Sequence, residues 1–125
     1  MTARRFILVV DDDRDLRESL REMLEEHGHL AIDVEDGAEA LAVLRSQDVC
    51  LVLLDWHLAP MSAPELKAEL DADPALREIP VVIISADIWI DRQALAGFAG
   101  HLRKPIDLVA LFETIERYGD DGGDG

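Results

Sequence analysis

The chain is short of cysteine, of positive charge and of long apolar runs, and each shortage removes a class of protein. Its single cysteine, Cys50, has no partner for an intramolecular disulfide and stands between Val49 and Leu51, the usual setting of a buried, inert thiol. Only 12 basic residues stand against 27 acidic ones, a net charge of −15. A field of that sign repels phosphate backbones and anionic headgroups, which argues against direct nucleic-acid binding. Behind the basic stretch Met1 to Arg5, the apolar run Phe6 to Val10 is too short for a signal-peptide core or a membrane span. The expectation is a cytoplasmic protein with no membrane insertion. Internal repeats are absent, and His27 and His29 have no third group at ligand spacing, so zinc is not expected.

What is present suits one domain. At 125 residues and 49% hydrophobic content, the chain can bury one core. Five short apolar runs read as strands: Phe6 to Val10, Leu30 to Val34, Val49 to Leu54, Val81 to Ile84, and a weaker one around His101 to Leu102. Segments with helical spacing alternate with them, such as Leu16, Leu20, Leu24 and His27 in the first and Leu108, Leu111, Phe112 and Ile115 in the last. Runs one, three and four are apolar at nearly every position, as parallel strands covered on both faces require. The fold class is therefore α/β, doubly wound, with five helices expected. Asp13 is placed to cap the first helix, Gly28 to end it, Pro64 to start the third and Asp107 to cap the fifth. After Tyr118 the chain reads Gly-Asp-Asp-Gly-Gly-Asp-Gly, so residues 119–125 are expected to be a disordered acidic tail or a linker stub.

Ligands of open parallel sheets bind beyond the carboxyl ends of the strands. There, strand 1 leads into Asp11 and Asp12, strand 3 into Asp55, strand 4 into Ser85 and strand 5 into Lys104, while strand 2 runs into Glu35 and Asp36. Where strands 1 and 3 are neighbours, roughly 4.8 Å apart, three carboxylates converge. Their repulsion calls for a hard cation, and an oxygen-only donor set suits Mg²⁺. A carboxylate can also attack phosphorus, and Asp55 is the candidate nucleophile, with Lys104 supplying charge and Ser85 a hydroxyl.

Val10-Asp11-Asp12, Leu54-Asp55 followed by Leu58, Met61 and Glu65-Leu66, Ile84-Ser85-Ala86, and Lys104-Pro105 together resemble the receiver domain of two-component response regulators. The resemblance covers residues 5–118 and implies a flavodoxin-like strand order 2-1-3-4-5. It implies a phosphorelay switch, free-standing as in chemotaxis or excised from a hybrid histidine kinase. In it, Asp55 accepts a phosphoryl group from a histidine kinase or histidine phosphotransfer protein, Asp11, Asp12, Asp55 and the backbone carbonyl of His57 hold Mg²⁺, and Lys104 and Ser85 bind phosphate. A downstream protein partner, a monomer or weak homodimer, and no enzyme activity beyond Mg-dependent self-phosphorylation and self-dephosphorylation complete the expectation.

Several positions depart from that family's pattern. Where an aromatic residue usually precedes the lysine by three positions, this chain has His101, whose imidazole is titratable near neutrality and more costly to turn inward. Ala59-Pro60 and Ser62-Ala63 replace the usual Pro-Gly and Asp-Gly, so the loop lacks glycine's access to positive φ. His57 and Asp87 flank the approach of an attacking water and are candidates for tuning the lifetime of the phosphorylated state. Trp89 and Ile90 are a candidate partner surface. Arg14, Arg17 and Arg21 interleave with Glu18, Glu22 and Glu25 at helical spacing and read as a salt-bridged solvated face. Two rival readings remain: a Mg-dependent phosphatase of the haloacid dehalogenase type, which wants a second acid at position 57, and a pseudo-receiver that binds partners without phosphate.

Overall fold

Leucine and β-branched residues dominate four of the apolar stretches, and a strand forms at each of the five. The structure, a computed structural model, describes residues 5–87 and 90–118. In chain order the elements are β1 (Phe6–Val10), α1 (Arg14–Glu26), β2 (Leu30–Val34), α2 (Gly37–Ser46), β3 (Val49–Asp55), α3 (Ala63–Ala72), β4 (Val81–Ser85), β5 (Gly100–Arg103) and α4 (Leu108–Tyr118). All strand pairings are parallel and the order is β2-β1-β3-β4-β5. The expected α/β class and strand order are both present.

Period-two alternation splits the strand residues between two cores. Leu8, Val10, Val52, Leu54 and Ile83 point to one face, where α2 and α3 cover them with Leu41, Leu44, Leu66 and Leu70. Ile7, Val9, Leu51, Leu53 and Ile84 point to the other, under Leu20 and Leu24 of α1 and Leu111 and Ile115 of α4. All seven residues of β3 are buried as a result, which is why that stretch shows no polar alternation. Cys50 is among them.

Local chemistry sets the helix ends. Asp13 caps α1 by accepting from the Leu16 N–H, and Gly28, with φ of +88°, follows its last turn. Asp107 accepts from the Ala110 N–H at the start of α4. At α3, Ser62 and Glu65 exchange side-chain-to-backbone hydrogen bonds, with Pro64 in the first turn. The loop before α3 therefore manages without glycine: Ser62 sits at φ −74°, and among the described residues only glycines have positive φ.

One expectation fails. Among the described residues there are four α-helices, not five, because residues 92–97, between β4 and β5, fold as successive turns. Their bonds run mostly from residue i+3 back to residue i, as in Ala96 N–H to Gln93 and Phe98 N–H to Leu95. Gly97 at φ +91° then leaves helical geometry altogether. The segment is held instead by Ile90, Leu95 and Phe98, which pack on the core face shared with α2 and α3. Trp89 and residues 119–125 lie outside the described residues.

Candidate functional site

Parallel pairing aligns the carboxyl ends of β1, β3, β4 and β5, and the residues at those ends form one polar cluster. Val10 pairs with Leu54, so Asp11 leaves β1 beside Asp55, the last residue of β3. Asp55 pairs with Ile84, which places Ser85 one step further on in β4, opposite Arg103. Lys104 follows directly, its N–H bonded to the Ser85 carbonyl.

Asp11, Asp12 and Asp55 bring one carboxylate oxygen each to within 4.8 Å of one another. Asp11 and Asp55 are 1% and 4% exposed, whereas Asp12 faces solvent. The Lys104 ammonium lies 3.2 Å from Asp11 Oδ2 and 3.7 Å from Asp55 Oδ1. Three carboxylates against one ammonium leave an excess of negative charge, with two of the acids buried. Burial raises the Asp11 carboxyl above its usual range, and the Asp55 charge adds to the rise, against the opposing pull of the Asp13 N–H and Lys104. A hard dication held by oxygen ligands would cancel that excess, so the donor set fits Mg²⁺.

The remaining bonds fix the two buried acids. Asp11 Oδ1 accepts from the Asp13 N–H at 2.8 Å, and the Asp11 N–H donates to the Val34 carbonyl. Asp55 Oδ1 accepts from the His57 N–H at 3.2 Å, and no hydrogen bond among the described residues engages Oδ2. Ser85 is fully buried, with Oγ accepting from the Asp87 N–H at 2.8 Å. Across the mouth, His57 Nε2 stands 3.8 Å from Asp87 Oδ2. The cluster thus gathers Asp11, Asp12, Asp55 and Lys104, with Ser85 at the neighbouring strand end and His57 and Asp87 at the rim.

Other candidates sit elsewhere. His101 lies in β5 with its Nε2 buried and without a hydrogen-bond partner among the described residues. Ile90 is half-buried on the core rather than free at the surface. Trp56, next to Asp55, packs edge-on against Phe98 at 6.1 Å between ring centroids, joining the acidic site to the turn segment.

The arginines of α1 do more than their spacing predicts. Arg14–Glu18 and Arg21–Glu25 do form exposed i,i+4 pairs, but Arg17 and Arg21 both turn to Asp33 of β2. The overlooked signal was Asp33 itself: a carboxylate inside an apolar strand needs a partner, and helical arginines on the covering element supply it. A second missed signal was Ser62 followed by Glu65, the capping-box spacing.

A family model described as the response regulator receiver domain matches residues 7–116. The protein PilH of Pseudomonas aeruginosa is 31% identical over 115 residues, covering 87% of this chain and 93% of the relative. The chemotaxis protein CheY of the same organism is 30% identical over 115 residues, covering 89% and 93%. Among solved structures, the receiver domain of the sensor histidine kinase PA1611 from P. aeruginosa, described with a magnesium ion coordinated in its active-site cleft, superposes with a TM-score of 0.84. It is 25% identical, and the match covers 93% of this chain and 98% of that one.

Proposed function

Since this chain belongs to the response regulator receiver domain family, we propose that its signalling switch is thrown by phosphorylation of Asp55, with Asp11, Asp12, Asp55 and the His57 carbonyl holding Mg²⁺. The observation that carries this reading is the convergence of three carboxylates beyond the strand ends, two of them, Asp11 and Asp55, beside Lys104.

The chemistry follows from what each group can do. Asp55 Oδ1 is tied to the His57 N–H and lies near Lys104, which leaves Oδ2 as the attacking oxygen. It forms a bond to the phosphorus of a phosphohistidine donor while the bond from phosphorus to the imidazole nitrogen breaks, its electron pair leaving with the nitrogen. Bound Mg²⁺ would supply charge neutralisation for the phosphoryl oxygens. Lys104 supplies a second positive charge, and it already stands beside Asp11 before any phosphate arrives. Ser85, one residue beyond Asp55's β4 partner, offers its hydroxyl proton to a third oxygen, since Oγ only accepts from Asp87 in the present arrangement. His57 and Asp87 stand at the rim, where a hydrolytic water must pass, and set the lifetime of the acyl phosphate. The donor is a histidine kinase or histidine phosphotransfer protein, the output is altered binding of a downstream protein partner, and the protein works in the cytoplasm.

Neither rival gains support. Position 57 is histidine where the phosphatase chemistry needs a second acid, and a pseudo-receiver has no need of the intact set Asp11, Asp12, Asp55, Ser85 and Lys104. Trp56, adjacent to the acceptor, gives the test: its fluorescence is followed while Mg²⁺ and then acetyl phosphate are added. A saturable Mg²⁺ response, followed by a donor response that Asp55→Asn abolishes, is expected. A donor response that persists in Asp55→Asn contradicts the assignment of Asp55.

A further inference from the structure

Asp11 is held by its main chain as well as by its carboxylate, and one of those holds comes from α1. Arg17 donates from Nη1 to the Asp11 carbonyl at 3.3 Å and from Nε to Asp33 Oδ2 at 3.0 Å. Arg21, one turn on, donates from Nε to Asp33 Oδ1 at 2.7 Å and from Nη1 to Glu25. Both arginines therefore grip one carboxylate of β2, but Arg17 alone reaches across to the segment that carries Asp11 and Asp12. Its side chain is 14% exposed and that of Asp33 17%, so the bridge is largely shielded from solvent.

We propose that Arg17 is a positioning residue for the carboxylate site: by tying the Asp11 carbonyl to Asp33, it fixes the turn that aims Asp11 and Asp12 at Asp55. The inference rests on the assignment of a Mg²⁺ site to these acids. The Asp11 N–H is bound to Val34, the residue after Asp33, so β2 holds the Asp11 peptide from both sides, directly through one bond and through Arg17 by the other. With both sides fixed, Asp11 Oδ1 takes the Asp13 N–H, and Asp12 between them has little freedom to leave the cluster. A metal ion binding there finds its ligands already in place and does not have to order them. Outer groups that orient ligands in this way typically change metal affinity by about ten- to a hundredfold when removed.

The forked guanidinium makes the role specific. Two donors in fixed relation span a carboxylate and a carbonyl at once, which a lysine ammonium on a flexible stem cannot do. Arg17→Lys therefore keeps the positive charge, and with it the repulsion of a cation, while losing the bridge. Arg21→Lys removes a comparable ion pair to the same carboxylate without touching Asp11, so it reports the purely structural part.

The experiment measures the Mg²⁺ dissociation constant through Trp56 fluorescence, and the thermal midpoint, for the wild type, Arg17→Lys, Arg21→Lys and Asp33→Asn. Both arginine variants should melt earlier. Arg17→Lys should weaken Mg²⁺ about tenfold and Arg21→Lys less than twofold. Asp33→Asn, which leaves Arg17 in place but loosens its anchor, should fall between them, and it decides the matter if Arg17→Lys does not fold. Equal Mg²⁺ affinity in the wild type and Arg17→Lys, or in the wild type and Asp33→Asn when only that variant folds, overturns the inference. So does equal weakening in Arg17→Lys and Arg21→Lys. A wild-type protein with no saturable Mg²⁺ response overturns the metal site itself and this inference with it.

Discussion

Lys104 and Asp11 stand 93 positions apart in the chain, yet the lysine ammonium lies 3.2 Å from the Asp11 carboxylate, the tightest contact it makes in the site. Asp55 is the second neighbour, at 3.7 Å. Lys104 thus acts as the resting counter-ion of the acids and is placed to meet whatever negative charge arrives at Asp55. Lys104→Met separates these duties. Mg²⁺ affinity should not fall, because a competing cation is gone, while the rate of phosphorylation by acetyl phosphate should drop by on the order of 10²-fold. Stopped-flow fluorescence of Trp56 reads both, and an unchanged rate would remove Lys104 from the chemistry.

Asp11→Asn should stabilise the metal-free protein at neutral pH. The folded carboxyl titrates above its unfolded value because burial disfavours its charge and Asp55 repels it. A carboxyl raised in this way binds more protons folded than unfolded, so its contribution to stability is full below the unfolded value and is lost as pH rises through the folded one. The stabilisation by asparagine should accordingly be present at pH 7 and shrink as the pH is lowered through that window. Urea denaturation at several pH values in the presence of a chelator checks it; a gain independent of pH would show that the charge of Asp11 is not the cause.

His101 carries a buried Nε2 with no hydrogen-bond partner among the described residues. Replacing the ring by one without a polar edge removes an unsatisfied group, so His101→Phe should raise stability by about 1 kcal/mol. A lower denaturation midpoint would mean that the nitrogen is satisfied in solution.

Ser62 starts α3 by exchanging side-chain-to-backbone hydrogen bonds with Glu65. Ser62→Ala removes one half of the reciprocal cap with Glu65 and should cost about 1 kcal/mol, and Ser62→Gly only a few tenths. An unchanged denaturation midpoint in Ser62→Ala would show that the hydroxyl does not set the start of the helix.

The strands were readable from their apolar runs: β1 and β2 begin and end where those runs do, β2 with Asp33 inside it. β3 and β4 each extend one residue further, to Asp55 and Ser85, because the ladder continues into residues whose side chains serve the site. The carboxylate cluster was readable for the same reason, since parallel strands deliver their last residues to one edge. The stretch between β4 and β5 was not: Ile90, Leu95 and Phe98 give it a buried side, but hydrophobicity alone does not distinguish a helix from turns, and Gly97 decides. The bridge was hidden because i,i+4 charge patterning on α1 describes the pairs Arg14–Glu18 and Arg21–Glu25, while the claim of Asp33 on Arg17 and Arg21 is a tertiary one.

In the proposed function, crowded acids balanced by a divalent cation make Asp55 a nucleophile toward phosphorus. Intact-mass spectrometry after exposure to acetyl phosphate with Mg²⁺ tests it most directly, with samples quenched in acid at intervals so that hydrolysis is followed. A gain of about 80 Da that needs Mg²⁺ and disappears in Asp55→Asn is expected. No gain at any time point in the wild type, or an equal gain in Asp55→Asn, would contradict it.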